Sequence, residues 1–271
     1  MPNDPDEMNA RRLDAVLDRL AGLSPAPDLL VLSGDLVDRG DEDSYRRLRD
    51  KLAGWRGPIL YALGNHDSRA AFRAVFPDPP MPDGFLQYEA DCGELRLLVL
   101  DTLEEGRHGG GFCEVRARWL AERLDEASDR PTLLVLHHPP VESGIGWLTT
   151  DPAEPWVRRL AAAIQGRTNI VALLCGHFHR SISAEFEGVP VVVCPPSAPE
   201  AALTLTAFDP ADPDGRPMIL ESPPACALHL WRGGVLISHI DRVEPAPVLV
   251  RYDATMQPLV ERVTRERPVK G

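Results

Sequence analysis

No stretch of the 271-residue chain stays apolar for the roughly 20 residues that a membrane-spanning helix needs. The chain opens on Met1-Pro-Asn-Asp-Pro-Asp-Glu-Met8, acidic and polar where a secretory signal is basic and then apolar. Cysteine is sparse. Cys92, Cys113, Cys175, Cys194 and Cys226 lie far apart with no C-x-x-C pair, an odd number and a spacing that fit a disulfide framework or a cysteine-based zinc site poorly. They read as reduced thiols that fill the core. Basic charge is also short, with 29 Lys and Arg against 41 Asp and Glu and a net charge of −12. That balance argues against a binder of nucleic-acid polymers or of membrane surfaces, which needs a basic face. An anionic substrate stays open, because bound metal ions reverse the sign locally. Internal repeats and low-complexity tracts are absent too. The chain is expected to be cytoplasmic.

What is present is an ordinary globular composition, 44% hydrophobic, with 21 glycines and 27 prolines for turns. Residues 9–23 place Leu13, Val16, Leu17 and Leu20 at helical spacing, and Pro25 and Pro27 end the helix. Further helices are expected over 42–53, 114–127 and 155–165. Between them lie short apolar runs without alternation, as in strands buried on both faces: 29–32, 58–63, 95–100, 132–136 and 170–174. Strand and helix alternate, which indicates an α/β domain. The last third differs. Strands are expected at 184–187 and 189–194, and a hairpin within 217–241 turns at Arg232-Gly-Gly234. Residues 1–200 are expected to form the core domain, with 201–271 adding strands that complete or cap it and a tail that frays after Arg262.

The polar residues fall in a telling place. Four of the apolar runs lead directly into Asp, Asn or His: Asp35, Asn65, His137, and the pair His177 and His179. In open α/β sheets the ligand site lies beyond the carboxyl ends of the strands, so four separate stretches deliver metal-type ligands to one edge. Carboxylate and imidazole together suit Mn, Fe, Zn or Co better than a soft thiolate site would. Asp35 can bridge two ions, Asn65 adds a neutral oxygen, and His177 and His179 can diverge toward different ions. Each has a structural alternative as a turn residue, but five suitable residues at four strand ends are hard to explain as surface decoration.

The blocks Gly34-Asp-Leu-Val-Asp38, Gly64-Asn-His-Asp67, His137-His-Pro-Pro140 and Gly176-His-Phe-His179 resemble, in order and interval, those of the calcineurin-like metallophosphoesterases. The resemblance covers roughly residues 10–200. His137-His-Pro-Pro140 followed by Gly144-Ile-Gly-Trp147 is similar to the branch that hydrolyses cyclic nucleotides and glycerophosphodiesters. The family implies a four-layer α/β/β/α sandwich and two divalent ions. It implies hydrolysis of a small phosphodiester by metal-activated water. By the same resemblance, Asp35 bridges the ions, Asn65, His137 and His177 complete one site, and His179 serves the other. His66 would act near the leaving oxygen, with Asp67 fixing its orientation, and a positioned imidazole suits that role near neutral pH.

The chain departs from the family pattern at its front. Family members begin with a strand ending in Asp-x-His, and no apolar run precedes Asp4 and Asp6 here. The first strand is therefore expected to be missing, with fewer than two ions held tightly by the 271-residue form. Two explanations are open: a start assigned too far downstream, or a catalytically impaired relative that binds a ligand. His138 reads as pocket wall rather than ligand, and His108, in Glu105-Gly-Arg-His-Gly-Gly-Gly111, as a solvated loop residue with substrate contact as the alternative. His229 and His239 read as structural, and Trp147 as either core cap or substrate wall. The sequence does not set the oligomeric state, for which a homodimer is one candidate.

Overall fold

The structure, a computed structural model, describes residues 5–207, 209–244 and 246–268. Met1–Asp4 lie outside the described residues. Helix α1 (Pro5–Ala21) begins four residues earlier than its leucine spacing suggests. Proline is tolerated in a first helical turn, where its missing N–H has no partner to lose. Strand β1 (Leu30–Ser33) pairs in parallel with β2 (Ile59–Ala62), in the register Leu30 to Ile59 through Ser33 to Ala62. Between them, α2 (Glu42–Leu52) is capped by Asp41, whose carboxylate accepts from the Ser44 N–H at 2.8 Å. Acidic residues fill its first turn and basic ones its last, which complements the helix dipole.

A six-stranded sheet forms the centre. Its strands are β3 (Tyr88–Cys92), β4 (Leu95–Val99), β5 (Thr132–Val135), β6 (Ile170–Cys175), β7 (Ile182–Phe186) and β8 (Val189–Val193), in the order β3-β4-β5-β6-β8-β7. The four inner strands run parallel, and the two edge strands are antiparallel to their neighbours. Successive residues of the inner strands serve opposite cores. Leu98, Leu134 and Leu173 pack against α4 (Glu114–Glu126) and α5 (Pro155–Ile164), while Leu97, Leu133 and Ala172 face β1, β2 and the helices beyond them. This burial on both faces is why the runs show no alternation. Trp147 packs beside the first core. The second core also takes Phe72 of α3 (Arg69–Val75), a short helix with no counterpart in the sequence reading.

The layers are therefore helix, sheet, sheet and helix, an α/β sandwich as expected. After the central sheet come two short strands, β9 (Glu200–Ala201) and β10 (Ile219–Leu220), paired antiparallel. The hairpin β11 (Ala225–Arg232) and β12 (Val235–Arg242) packs Leu228, Trp231 and Leu236 against the second core. Helix α6 (Gln257–Arg265) carries regular structure past Arg262, where fraying was expected. Among the described residues no helix is long and apolar enough to cross a membrane.

Candidate metal centre

The loops after β1, β2, β5 and β6 converge at one edge of the two facing sheets. His137 follows β5 and is almost fully buried, and its Nδ1 lies 2.8 Å from the Ser33 carbonyl oxygen at the end of β1. That oxygen only accepts, so Nδ1 carries a proton and Nε2 is the nitrogen turned toward Asp35. Nε2 stands 3.2 Å from Asp35 Oδ2 without a well-aligned hydrogen bond, and it has no other partner. The side-chain oxygen of Asn65 is likewise buried and unpartnered. Buried polar atoms without partners are costly, and a cation would satisfy a carboxylate, an amide oxygen and an imidazole nitrogen at once.

Glycines make the close approach possible. A Cβ on Gly64 would lie 2.2 Å from Asp35 Oδ1 and 2.7 Å from His137 Nε2, and one on Gly34 would lie 2.4 Å from His137 Nδ1. These glycines therefore leave room for the donors themselves. Backbone strain marks the same spot. Asp35, His177 and His179 adopt φ of 51°, 66° and 47°, the left-handed region that non-glycine residues seldom occupy. His179 Nδ1 is 2.8 Å from the Pro199 carbonyl oxygen, which frees its Nε2 as well.

His137, His138 and His177 form a cluster that could hold an ion, their ligand atoms all within 4.8 Å of one another. Burial, reinforced by the neighbouring imidazoles of His138 and His137, holds His177 well below the usual imidazole range. His138 is depressed in the same way, by burial and then by His137. Both rings stay neutral with lone pairs available. Burial opposes ionisation of Asp35, but His137 and the His66 N–H outweigh it and hold the carboxyl below its usual value.

His138 therefore brings a third imidazole where sequence reasoning placed only a wall. Its Nδ1 meets Thr102 Oγ1 at 2.9 Å, and its Nε2 is buried without a partner. His108 also comes into the site. Its ring centroid is 4.8 Å from that of His177, and it lies within electrostatic reach of Asp35, His66, His137 and His179. A loop histidine between glycines gives no sign in sequence of the neighbour it will meet.

His66 sits on the exposed loop after β2, its backbone N–H donating to Asp35 Oδ1 at 2.9 Å. Its ring is oriented differently from expectation, with Nδ1 3.2 Å from the Asp38 carbonyl oxygen. Asp67 instead accepts from the backbone N–H groups of Gly64 and Leu36 and from the Tyr45 hydroxyl at 2.8 Å. Buried and raised by that burial to about 6, Asp67 locks the two loops carrying Asp35 and Asn65 together. His229 pairs with Ser238 Oγ across the hairpin, 2.8 Å away.

Residues 6–181 match the calcineurin-like phosphoesterase family. A probable cyclic nucleotide phosphodiesterase of Rhodopseudomonas palustris is 35% identical over 206 residues, covering 73% of each chain. A glycerophosphodiester phosphodiesterase of Enterobacter lignolyticus is 29% identical over 237 residues, 86% of this chain and 82% of its own. A dimetal phosphatase of Danio rerio shares the fold at a TM-score of 0.52 and 15% identity, covering 72% of this chain and 78% of that one. With donors from four strand ends converging as the motif order implies, and the family match spanning both sheets' ligand loops, the chain belongs to the calcineurin-like phosphoesterases.

Proposed function

We propose that this phosphoesterase hydrolyses a small phosphodiester, of the cyclic-nucleotide or glycerophosphodiester type. Asp35, Asn65, His137 and His177 would hold one divalent ion, Mn, Fe, Zn or Co, and Asp35 and His179 would serve a second. The activities for which the Rhodopseudomonas and Enterobacter relatives are named support the substrate class. The observation that carries the reading is a pair of buried atoms without hydrogen-bond partners, His137 Nε2 beside Asp35 and the side-chain oxygen of Asn65. A bound ion supplies Lewis acidity toward the phosphoryl oxygens and lowers the pKa of water.

The remaining work falls to this chain's own side chains. His66 is exposed to solvent and so to substrate. With its Nδ1 proton donated to the Asp38 carbonyl, the ring presents Nε2 for a contact with the phosphate or the leaving oxygen. Asp67 keeps the Asp35 and Asn65 loops in register, so the donors are preorganised before substrate arrives. His138 walls the pocket beside His177.

A second reading is a ligand-binding relative with impaired turnover. It is favoured by the donor set. Among the described residues the cluster of three imidazoles is the one group of its kind, and His179 stands outside it. Hydrolysis of bis(p-nitrophenyl) phosphate by metal-supplemented protein separates the two. The phosphodiesterase reading expects turnover that Asn65→Ala lowers by about a hundredfold or more, the usual scale for losing a metal-site group. No turnover with any of the four metals, or an Asn65→Ala rate equal to wild type, would overturn it.

A further inference from the structure

The way His179 is held traces back to α1. The segment after β8 leaves the central sheet at Val193 and joins no strand until Glu200. Pro195, Pro196 and Pro199 have no N–H, so the segment is poorly able to pair as a strand and its carbonyls need donors from elsewhere. Four consecutive carbonyls find them. The Pro196 oxygen accepts from the Ala225 N–H at 3.0 Å, and the Pro199 oxygen lies 2.8 Å from His179 Nδ1. The two between them are both taken by Arg12 of α1, whose Nε donates to Ser197 at 2.7 Å and whose Nη2 donates to Ala198 at 2.8 Å.

A guanidinium suits this task because its nitrogens lie in one rigid plane, so two neighbouring carbonyls gripped together cannot rotate independently. Nη2 also donates to the Ser222 oxygen at 2.7 Å, which ties the same point to the approach to β11. Burial lowers the Arg12 pKa while the charge of Glu221 opposes it, so the side chain gives up part of its hydration for these contacts. Asn9, three residues earlier on the same helix face, donates to Asp38 Oδ2 at 3.1 Å, and the Asp38 carbonyl is the group that faces His66 Nδ1. This face of α1 therefore borders the candidate metal centre. His179 has a φ of 47° and lies outside any strand, so the Pro199 carbonyl is what fixes which ring nitrogen carries the proton.

We infer that Arg12 is a positioning residue for His179: by clamping the Ser197 and Ala198 carbonyls it fixes the Pro199 carbonyl, which holds the imidazole proton on Nδ1 and leaves Nε2 for an ion. The inference rests on the assignment of His179 to a metal ion in the phosphodiesterase reading. It gives α1 a task beyond packing Val16 and Leu20 into the second core.

Histidine side-chain nitrogen and carbon resonances of the whole chain, metal-free at about pH 8 where an ordinary imidazole is neutral, report which ring nitrogen is protonated. In the wild type, His179 is expected to be protonated on Nδ1 throughout. Arg12→Met keeps an unbranched stem and removes every donor, and His179 is then expected to divide between the two tautomers with an unchanged circular dichroism spectrum. Arg12→Lys keeps the charge without the fork and is expected to fall between the two. Arg11→Met is the control, since exposed Arg11 on the same helix pairs with Glu7, and it is expected to match the wild type. Zinc is then added. The zinc concentration that shifts the His179 Nε2 resonance halfway is expected to rise about tenfold in Arg12→Met and to stay unchanged in Arg11→Met. A wild-type Nε2 resonance that ignores zinc would instead refute the assignment of His179 to an ion, while the tautomers alone decide whether Arg12 orients the ring. His179 wholly protonated on Nδ1 in Arg12→Met, or in Arg12→Lys should the first variant not fold, would overturn the inference. So would equal zinc midpoints in Arg12→Met and the wild type.

Discussion

At the scale of single residues, the site depends as much on what is small as on what binds. Gly64 has no side chain because Asp35 and His137 occupy the space that a Cβ would take, with the carboxylate oxygen only 2.2 Å from that point. Gly64→Ala must push one of the two donors away, and activity is expected to fall about a hundredfold with loss of metal retention. Gly54→Ala is the control, since nothing lies within 4 Å of its Cβ position. Equal rates for the two variants would contradict this account. Thiol chemistry offers a separate check. Burial raises Cys175 and pushes Cys194 up to about 12 and Cys226 up to about 11, and it raises Cys92 as well. At Cys113 burial acts the same way, but hydrogen bonds from Arg116 and its charge outweigh it and lower the thiol pKa. Thiolate is the reactive form, so Cys113 is expected to be alkylated first by iodoacetamide, as read by peptide mass spectrometry. Faster labelling of any of the other four would contradict that order.

At the scale of elements, Asp101 ties the site loops to the scaffold. It is fully buried after β4 and accepts from Arg69 Nε and Nη2 at 2.8 Å and from the backbone N–H groups of Leu86 and Leu103. Arg116, also buried, donates to the backbone oxygens of Asp101 and Leu103, and both guanidinium groups stack over Phe85. The network thus joins β4, α3, α4 and the loop that carries His108. Asp101→Ala leaves buried arginine charge uncompensated and is expected to cost about 3–5 kcal/mol, seen as a lower urea midpoint. A midpoint within experimental scatter of wild type would show the network contributes little. The five expected parallel-type strands were legible because a strand buried on both faces is a bare apolar run, and a polar cluster marks its end. Strand β3 was not, since Tyr88-Glu-Ala-Asp-Cys92 alternates charge with apolar side chains as befits an edge. Helix α3 was not either, because seven residues give too few turns for a period to show. The ligand positions were readable from motif order. The partners that orient them, Ser33 and Asp38 through carbonyl oxygens, were not, because a backbone contact carries no residue-type signal.

At the scale of the molecule, the scarcity of basic residues and the surplus of acid have one consequence. A protein with a net charge of −12 that turns over an anionic ester needs a local cation, and the candidate donors offer a place for it. The donors sit at strand ends, outside the two apolar cores, so removing metal should leave the fold in place. Treatment with a chelator is expected to abolish hydrolysis while the circular dichroism spectrum stays unchanged, and added Mn, Fe, Zn or Co should restore the rate. Unfolding on chelation would instead mean that the ion holds the structure together. After residue 200 the hairpin β11 and β12 was legible through its Gly-Gly turn, whereas the two-residue strands β9 and β10 and helix α6, with no buried residue, were not, because no core imposes a pattern on them. The measurement that bears most directly on the central claim joins metal content to turnover. Elemental analysis and bis(p-nitrophenyl) phosphate hydrolysis are followed together as metal is returned to chelated protein, for the wild type and for His137→Ala. The rate should climb with bound metal and level off in the wild type, while His137→Ala neither retains the ion nor turns over. Hydrolysis by metal-free protein, or an unchanged rate in His137→Ala, would contradict it.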